Sequence, residues 1–473
     1  MKFKLSLTAL VAGLFLLSTV TVVQGQQRSE YRRLGERDQT PSFFVDFITL
    51  PKLNKDEVSF SAIYSLAYSA LSFKKVADFS NPSGDAFTSA LTLSMEVFNS
   101  SKEKLRKKDR DVSIKGLESA ARALIHDTAR TETYEQTQSA LEFLQGQLNT
   151  TLKPGIYSLV LELQKGRKSN SQMSNTHTLR IPSYDKMETG NVYLGEAAED
   201  DQSSKDNTFK LISLGENVRY GEDFKILAYL PKYKSGQQYT LSVSSLDVTN
   251  NDTTKKQQIY SSPISEDQIS NNVYPVLASH GQANVLRLKS ATNGYAYAQI
   301  NIPNSRFPND RYRLVIKEKD SGKIAAQTVF RSMWIDMPRS LLSLDFATKM
   351  LHYIVNDKTI TRLSEGSRAE RKQNFRDFWK EKDPTPKTEY NELMAEYYRR
   401  IDYAYKHYSS GQKPGYETDQ GRIYITHGPP RNIQRKFPAN EPTMEIWSYP
   451  KKEYIFKATS GFGDFVLVSQ RNH

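Results

Sequence analysis

Asp419, His427, Glu445 and Asp464, within the last 55 or so residues of this 473-residue chain, are the candidates for acid–base chemistry. A carboxylate beside an imidazole can pass protons in general acid–base catalysis, and a histidine with two carboxylates can hold a metal ion. Asp419 and His427 both lie in GYETDQGRIYITHGPP, residues 415–430. The alternative reading of the chain is therefore a periplasmic or secreted hydrolase with its site around these two residues. Spacing argues against it. His427 belongs to no H-x-x-H or H-E-x-x-H arrangement, there is no G-x-S-x-G elbow or Walker-type loop, and GFGDF lacks the third glycine of a dinucleotide fingerprint. The chain has no cysteine, which removes thiol nucleophiles, Cys-ligated metals and disulfides. The expectation is a non-enzymatic protein without metal or cofactor.

A binding site would instead use Tyr416, Trp447 and Tyr449 as an aromatic platform for a sugar or peptide. Trp447 and Tyr449 share one strand face, and the role demands exposure: a core Trp447 ends it. Every residue of the opening stretch also has a purely structural reading. Gly415 and Gly421 supply positive φ or tight turns. Thr418 and Asp419 fold back onto nearby backbone N–H groups. Arg422 to His427 reads as a strand, with Ile423 and Ile425 on one face, and Gly428, Pro429 and Pro430 end it.

The elements around this stretch alternate in type along the chain. Residues 1–25 carry Lys2 and Lys4, then LSLTALVAGLFLLSTVTVV and a small-residue cleavage site, the pattern of a secretory signal peptide. No Cys follows it, so the protein is expected in the periplasm or outside the cell and not as a lipoprotein, with no transmembrane segment after cleavage. Residues 26–40 read as a flexible lead-in. From 41 to 183 the period is two: Leu91, Leu93, Met95 and Val97 alternate with Thr92, Ser94 and Glu96. Residues 184–207 read as a linker, and 208–337 repeats the strand pattern. LKPGIYSLVLEL (152–163) aligns with FPNDRYRLVIKE (307–318), pairing Tyr157 with Tyr312, which suggests a duplication. The fold expected is multidomain: two antiparallel β-sandwich, immunoglobulin-like domains, then a C-terminal α+β domain over 339–473 with three helices and a small antiparallel sheet. Helix signals there are Ser367 and Glu370 at capping-box spacing, and the stripe Tyr390, Met394, Tyr397, Ile401, Tyr405, Tyr408.

Lys and Arg number 65 against 53 Asp and Glu, a formal charge of +12. In an exported chain this favours anionic envelope material, an envelope protein or an anionic glycan, and not nucleic acid. The one dense run, SSKEKLRKKDRD (100–111), reads as a solvated loop.

The glycine–aromatic–x–Thr–Asp pattern followed by GRIYITHGPP resembles the GWxTD domain of exported bacterial proteins. FWKEKDPTP (378–386), NELMAEYYRRIDYA (391–404), EIWSYP (445–450) and GFGDFVLVS (461–469) extend the resemblance over about 339–473. Tyr416 stands in place of the naming Trp, and Gln420 where Arg is expected. The resemblance implies an envelope or secreted location and a compact α+β domain, and it brings no established activity.

Overall fold

The computed structural model describes residues 31, 33–34, 40–76, 87–100, 116–165, 172–196, 208–246, 257–280, 283–410, 413–439, 441–459 and 465–472. The signal-like residues 1–25, most of the basic run 100–111 and Asp464 lie outside them. The chain divides into two compact units, Pro41–Asp336 and the terminal unit Met337–His473, which takes in Met1–Thr40.

The first unit is built almost wholly of strands. Phe43–Pro51, Val58–Ala67 and Phe143–Leu152 form one antiparallel sheet in that order. Phe87–Asn99 pairs with Gly155–Lys165, which pairs with Gln172–Ile181, and Ser119–Thr131 adds to the same sheet. The alternation at 91–97 is realised as expected: Leu91, Leu93, Met95 and Val97 are buried, and the residues between them are half-buried. A six-stranded sheet runs Thr208–Lys210, Ala283–Ser290, Ile269–His280, Tyr295–Ile302, Phe224–Tyr229, Val192–Glu196. A five-stranded one runs Asn217–Arg219, Ile324–Met333, Arg311–Glu318, Tyr239–Ser245, Gln258–Ile264, with a single parallel pair at its Asn217–Arg219 edge.

The supposed linker at 184–207 is structure in its first half. Val192–Glu196 is a strand on Phe224–Tyr229, and Tyr184 and Tyr193 are buried. The Tyr193 hydroxyl donates to the Thr49 carbonyl at 2.6 Å, and Asn191 Nδ2 donates to Thr49 Oγ1 at 3.0 Å. One hydrophobic cluster accordingly runs from Leu50 and Leu93 through Tyr193 to Tyr229 and Leu286, joining both strand blocks. A second cluster, with Ile226, Leu241, Ile300 and Leu314, lies between the six- and five-stranded sheets. The polarity of 195–207 suggested separation, but the apolar rings just upstream decide where that chain packs. Both aligned tyrosines make the same bond: Tyr157 Oη donates to the Lys153 carbonyl at 2.9 Å, and Tyr312 Oη to the Pro308 carbonyl at 2.6 Å, each four residues back.

The terminal unit is α+β, with more helix than the three expected. Helices span Leu344–Met350, Asp357–Ser364, Arg368–Lys380, Glu392–Tyr408 and Asp419–His427. The Ser367/Glu370 capping box is made, and Phe375, Phe378, Trp379, Tyr397 and Ile401 are buried. Asn432–Lys436, Met444–Ser448, Lys452–Ala458 and Phe465–Asn472 form an antiparallel meander. The lead-in reading fails at Tyr31 and Leu34. Tyr31 and Leu34 are buried in the helical core, with the Tyr31 ring 3.9 Å from that of Tyr405. Two apolar side chains one helical turn apart suffice to dock a segment whose composition is otherwise polar. Among the described residues no helix is long and apolar enough to cross a membrane.

Candidate functional site

The stretch 419–427 is a helix, not the strand its alternation suggested. The physical reason is a core on either side. Residues two apart on a helix point about 200° apart. Ile423 enters the cluster of Trp447, Tyr454 and Phe456 on the sheet, while Ile425 enters that of Phe346, Tyr398 and Ile401 among the helices. A helix wedged between two cores buries alternate residues just as a strand does.

The residues before it place the helix end. Thr418 is the N-cap: its Oγ1 accepts from the Gly421 amide at 3.0 Å and donates to the Gly415 carbonyl at 2.8 Å. The glycines act by close approach, not by positive φ. A Cβ on Gly421 would lie 1.8 Å from the Gly415 carbonyl oxygen, and one on Gly415 1.8 Å from that of Ala404. Gly428 does take positive φ, at 78°, as the C-cap. Between them Tyr416 is fully buried, packed on Phe346 and Tyr405, and the Tyr353 hydroxyl donates to its carbonyl.

The sequence candidates separate once placed. Asp419 is tied up at the helix N-terminus, its Oδ2 accepting from the Leu467 amide at 2.8 Å and its Oδ1 paired with Arg422 at 3.1 Å. His427 is at the other end of the helix, about 12 Å away by the rise of 1.5 Å per residue, with Nε2 2.8 Å from Tyr454 Oη. Glu445 is buried and accepts from Gln420 Nε2 at 2.8 Å, Trp447 Nε1 at 3.0 Å and Arg435 Nε at 2.6 Å. Asp419 lines one pocket with Lys413 and Phe465, His427 lines another, and Glu445 lines neither. The acid–base pair of Asp419 and His427 that the alternative hydrolase reading requires is therefore not assembled among the described residues. Among the described residues no group of three His, Asp or Glu could hold a metal ion.

The aromatic platform is also overturned. Tyr416 and Trp447 are both wholly buried, and Tyr449 is half-buried with its hydroxyl on the Gly428 carbonyl at 2.8 Å. The face shared by Trp447 and Tyr449 is the one the helices cover. Gln420, at the position where the resemblance expects Arg, is buried with Glu445, and Arg435 from the neighbouring strand supplies the positive charge there.

What the sequence did not reveal is a cleft of ≈ 640 Å³ at the C-terminal half of this helix. Arg422, Thr426 and His427 line one side, His352 and Tyr353 another, and Lys452, Tyr454 and Gln470 a third. Burial, then Lys452, then Arg400 push the His427 imidazole below its ordinary range. These residues come from segments up to 118 positions apart, with no motif spacing to join them; pairing of the Lys452–Ala458 and Phe465–Asn472 strands aligns Tyr454 with Gln470, and the Asp419–His427 helix adds Arg422, Thr426 and His427.

An α+β unit organised by a capped helix between a helical core and a four-stranded meander is the class this architecture defines. The particular domain is the GWxTD domain: its family model matches residues 318–467, so the chain carries one. The match begins at the end of the Arg311–Glu318 strand and takes in Ile324–Met333, both in the first unit's five-stranded sheet, earlier than the 339 expected. No curated protein matches this chain.

Proposed function

We propose that the protein is a non-enzymatic, exported envelope component that works through protein or glycan interaction, in a surface or outer-membrane-associated assembly. Two immunoglobulin-like β-sandwich modules, the second following the first by duplication, present the GWxTD domain. The observation that carries the reading is the fate of the motif. Thr418, Asp419, Gly421 and Gly428 are consumed in capping and close packing, and the carboxylates and imidazole that a hydrolase needs are bound separately within the fold. The matched tyrosine bonds at 157 and 312 support the sandwich modules, since such a tyrosine corner is characteristic of that architecture. Export rests on the basic and apolar character of residues 1–25, and the interaction role on the excess of basic residues.

Photo-crosslinking in native envelopes tests this, with probes at the exposed positions Thr426, Phe437 and Gln470. The expected result is one recurrent protein or glycan adduct. Protein recovered monomeric from the soluble fraction with no adduct at any of the three would overturn it.

A further inference from the structure

We propose that the cleft beside His427 binds an acidic sugar, a uronic-acid unit of an anionic glycan; this rests on the interaction reading above and names its ligand class. The cleft volume of ≈ 640 Å³ suits one or two sugar rings. Its chemistry divides as such a ligand requires. Arg422 and Lys452 face the cavity as full cations, with the imidazoles of His352 and His427, against Glu417 as the one carboxylate of the lining. Lys452 has no ion-pair partner among the described residues, and Arg422 is 52% exposed beyond its single contact with Asp419. A sugar carboxylate between these two cations gains charge-assisted hydrogen bonds. Thr426 and Gln470, both exposed, offer neutral donors and acceptors for ring hydroxyls. Tyr353 and His352, their ring centroids 3.8 Å apart, add aromatic wall to the lining beside these polar groups. A bare inorganic anion would use only the cations.

The groups around His427 give the site a pH signature. Lys452 from the sheet and Arg400 from the Glu392–Tyr408 helix press on it electrostatically, Tyr454 bonds its Nε2, and the Tyr449 ring lies 5.6 Å off. A carboxylate bound beside Lys452 offsets that repulsion and favours the imidazolium. By linkage, affinity then rises as pH falls through the imidazole's titration.

The experiment is calorimetric titration of the full mature chain with digalacturonic acid and with its methyl ester, which keeps the rings and removes the charge. Histidine resonances are followed by NMR over the same series. The acid is expected to bind, to raise the His427 titration midpoint, and to tighten at lower pH, while the ester binds at least about tenfold more weakly. Lys452→Gln is expected to lose about tenfold or more in affinity for the acid at an unchanged melting temperature, because Lys452 holds no structural partner. Equal binding of acid and ester overturns the inference while leaving a glycan partner in place. No binding of either sugar, with crosslinks to protein alone, overturns it and leaves the interaction reading standing. Full competition by inorganic phosphate at matched ionic strength also overturns it, in favour of an unselective anion site.

Discussion

The strand Phe87–Asn99 and the helix Asp419–His427 carry the same sequence texture, apolar residues alternating with polar ones, yet they fold differently. In the strand, Leu91 to Val97 bury one face against a single cluster and leave the other face half-buried. In the helix, Ile423 and Ile425 diverge into two clusters. Period-two patterning therefore reports alternate burial, and strand is only the commonest cause of it. What marks the helix is its local chemistry: Thr418 caps its N-terminus, and Gly415 and Gly421 allow the close backbone approach there.

The largest effect that would break this comparison comes from Gly421. Gly421→Ala places a methyl 1.8 Å from a backbone oxygen that cannot yield, and should destabilise the terminal unit by upwards of about 3 kcal/mol. Were 422–427 a strand, the same change would be mild. Thermal unfolding of the full chain measures it, and a melting shift of only a degree or two would sink the close-approach account.

Next come the two isoleucines. Ile423→Ala and Ile425→Ala should each cost about 2–4 kcal/mol, and the double variant should be close to additive because the side chains enter separate clusters. Leu93→Ala and Met95→Ala, neighbours in one cluster on one strand face, should couple instead. Denaturant midpoints of both sets give the contrast. Strong coupling between Ile423 and Ile425 would mean the helix does not divide two cores.

Much of this architecture was legible before any coordinates. The strands at 87–99 and 155–165, the capping box at Ser367, and the buried stripe of the Glu392–Tyr408 helix follow from local spacing, because each buries one side against one partner. Three things were not. The docking of Tyr31 depends on a tyrosine-rich core and on Asp402, more than 300 residues away. The Glu445 hub depends on strand register that pairs Arg435 with Glu445. The cleft depends on strand order as well as helix type, so a helix misread as a strand hid Arg422 and Thr426 from it. Motif residues were found readily; their jobs were not, since a buried Tyr416 and an exposed one look alike in sequence.

A smaller effect sharpens the comparison at the helix start. Thr418→Ala should cost about 1 kcal/mol, largely restored by Thr418→Ser, because a hydroxyl that accepts the Gly421 amide is what the N-cap supplies. Amide hydrogen exchange at residues 419–422 should rise in the alanine variant alone. Equal exchange in both variants would remove the cap from the argument.

A last contrast, read in pH dependence, sets side by side two aspartates that grip distant backbone. Asp419 holds one amide, that of Leu467, whereas Asp46 in the Phe43–Pro51 strand holds two, those of Gly215 and Glu216, both at 2.8 Å. Burial outweighs those bonds at Asp46 and, with Glu216 adding to it, pushes the carboxyl up from 3.8 to about 6. The folded chain therefore holds this proton more tightly than the unfolded chain does. The sign is fixed: the contribution of Asp46 to stability falls as pH rises from about 4 to about 6 and is level above that. Asp46→Asn keeps one acceptor and cannot titrate, so it should flatten the strand-rich unit's urea midpoint across that window while changing it little at pH 5. An unchanged slope in the variant would show that the two amides outweigh burial and hold the Asp46 carboxylate charged.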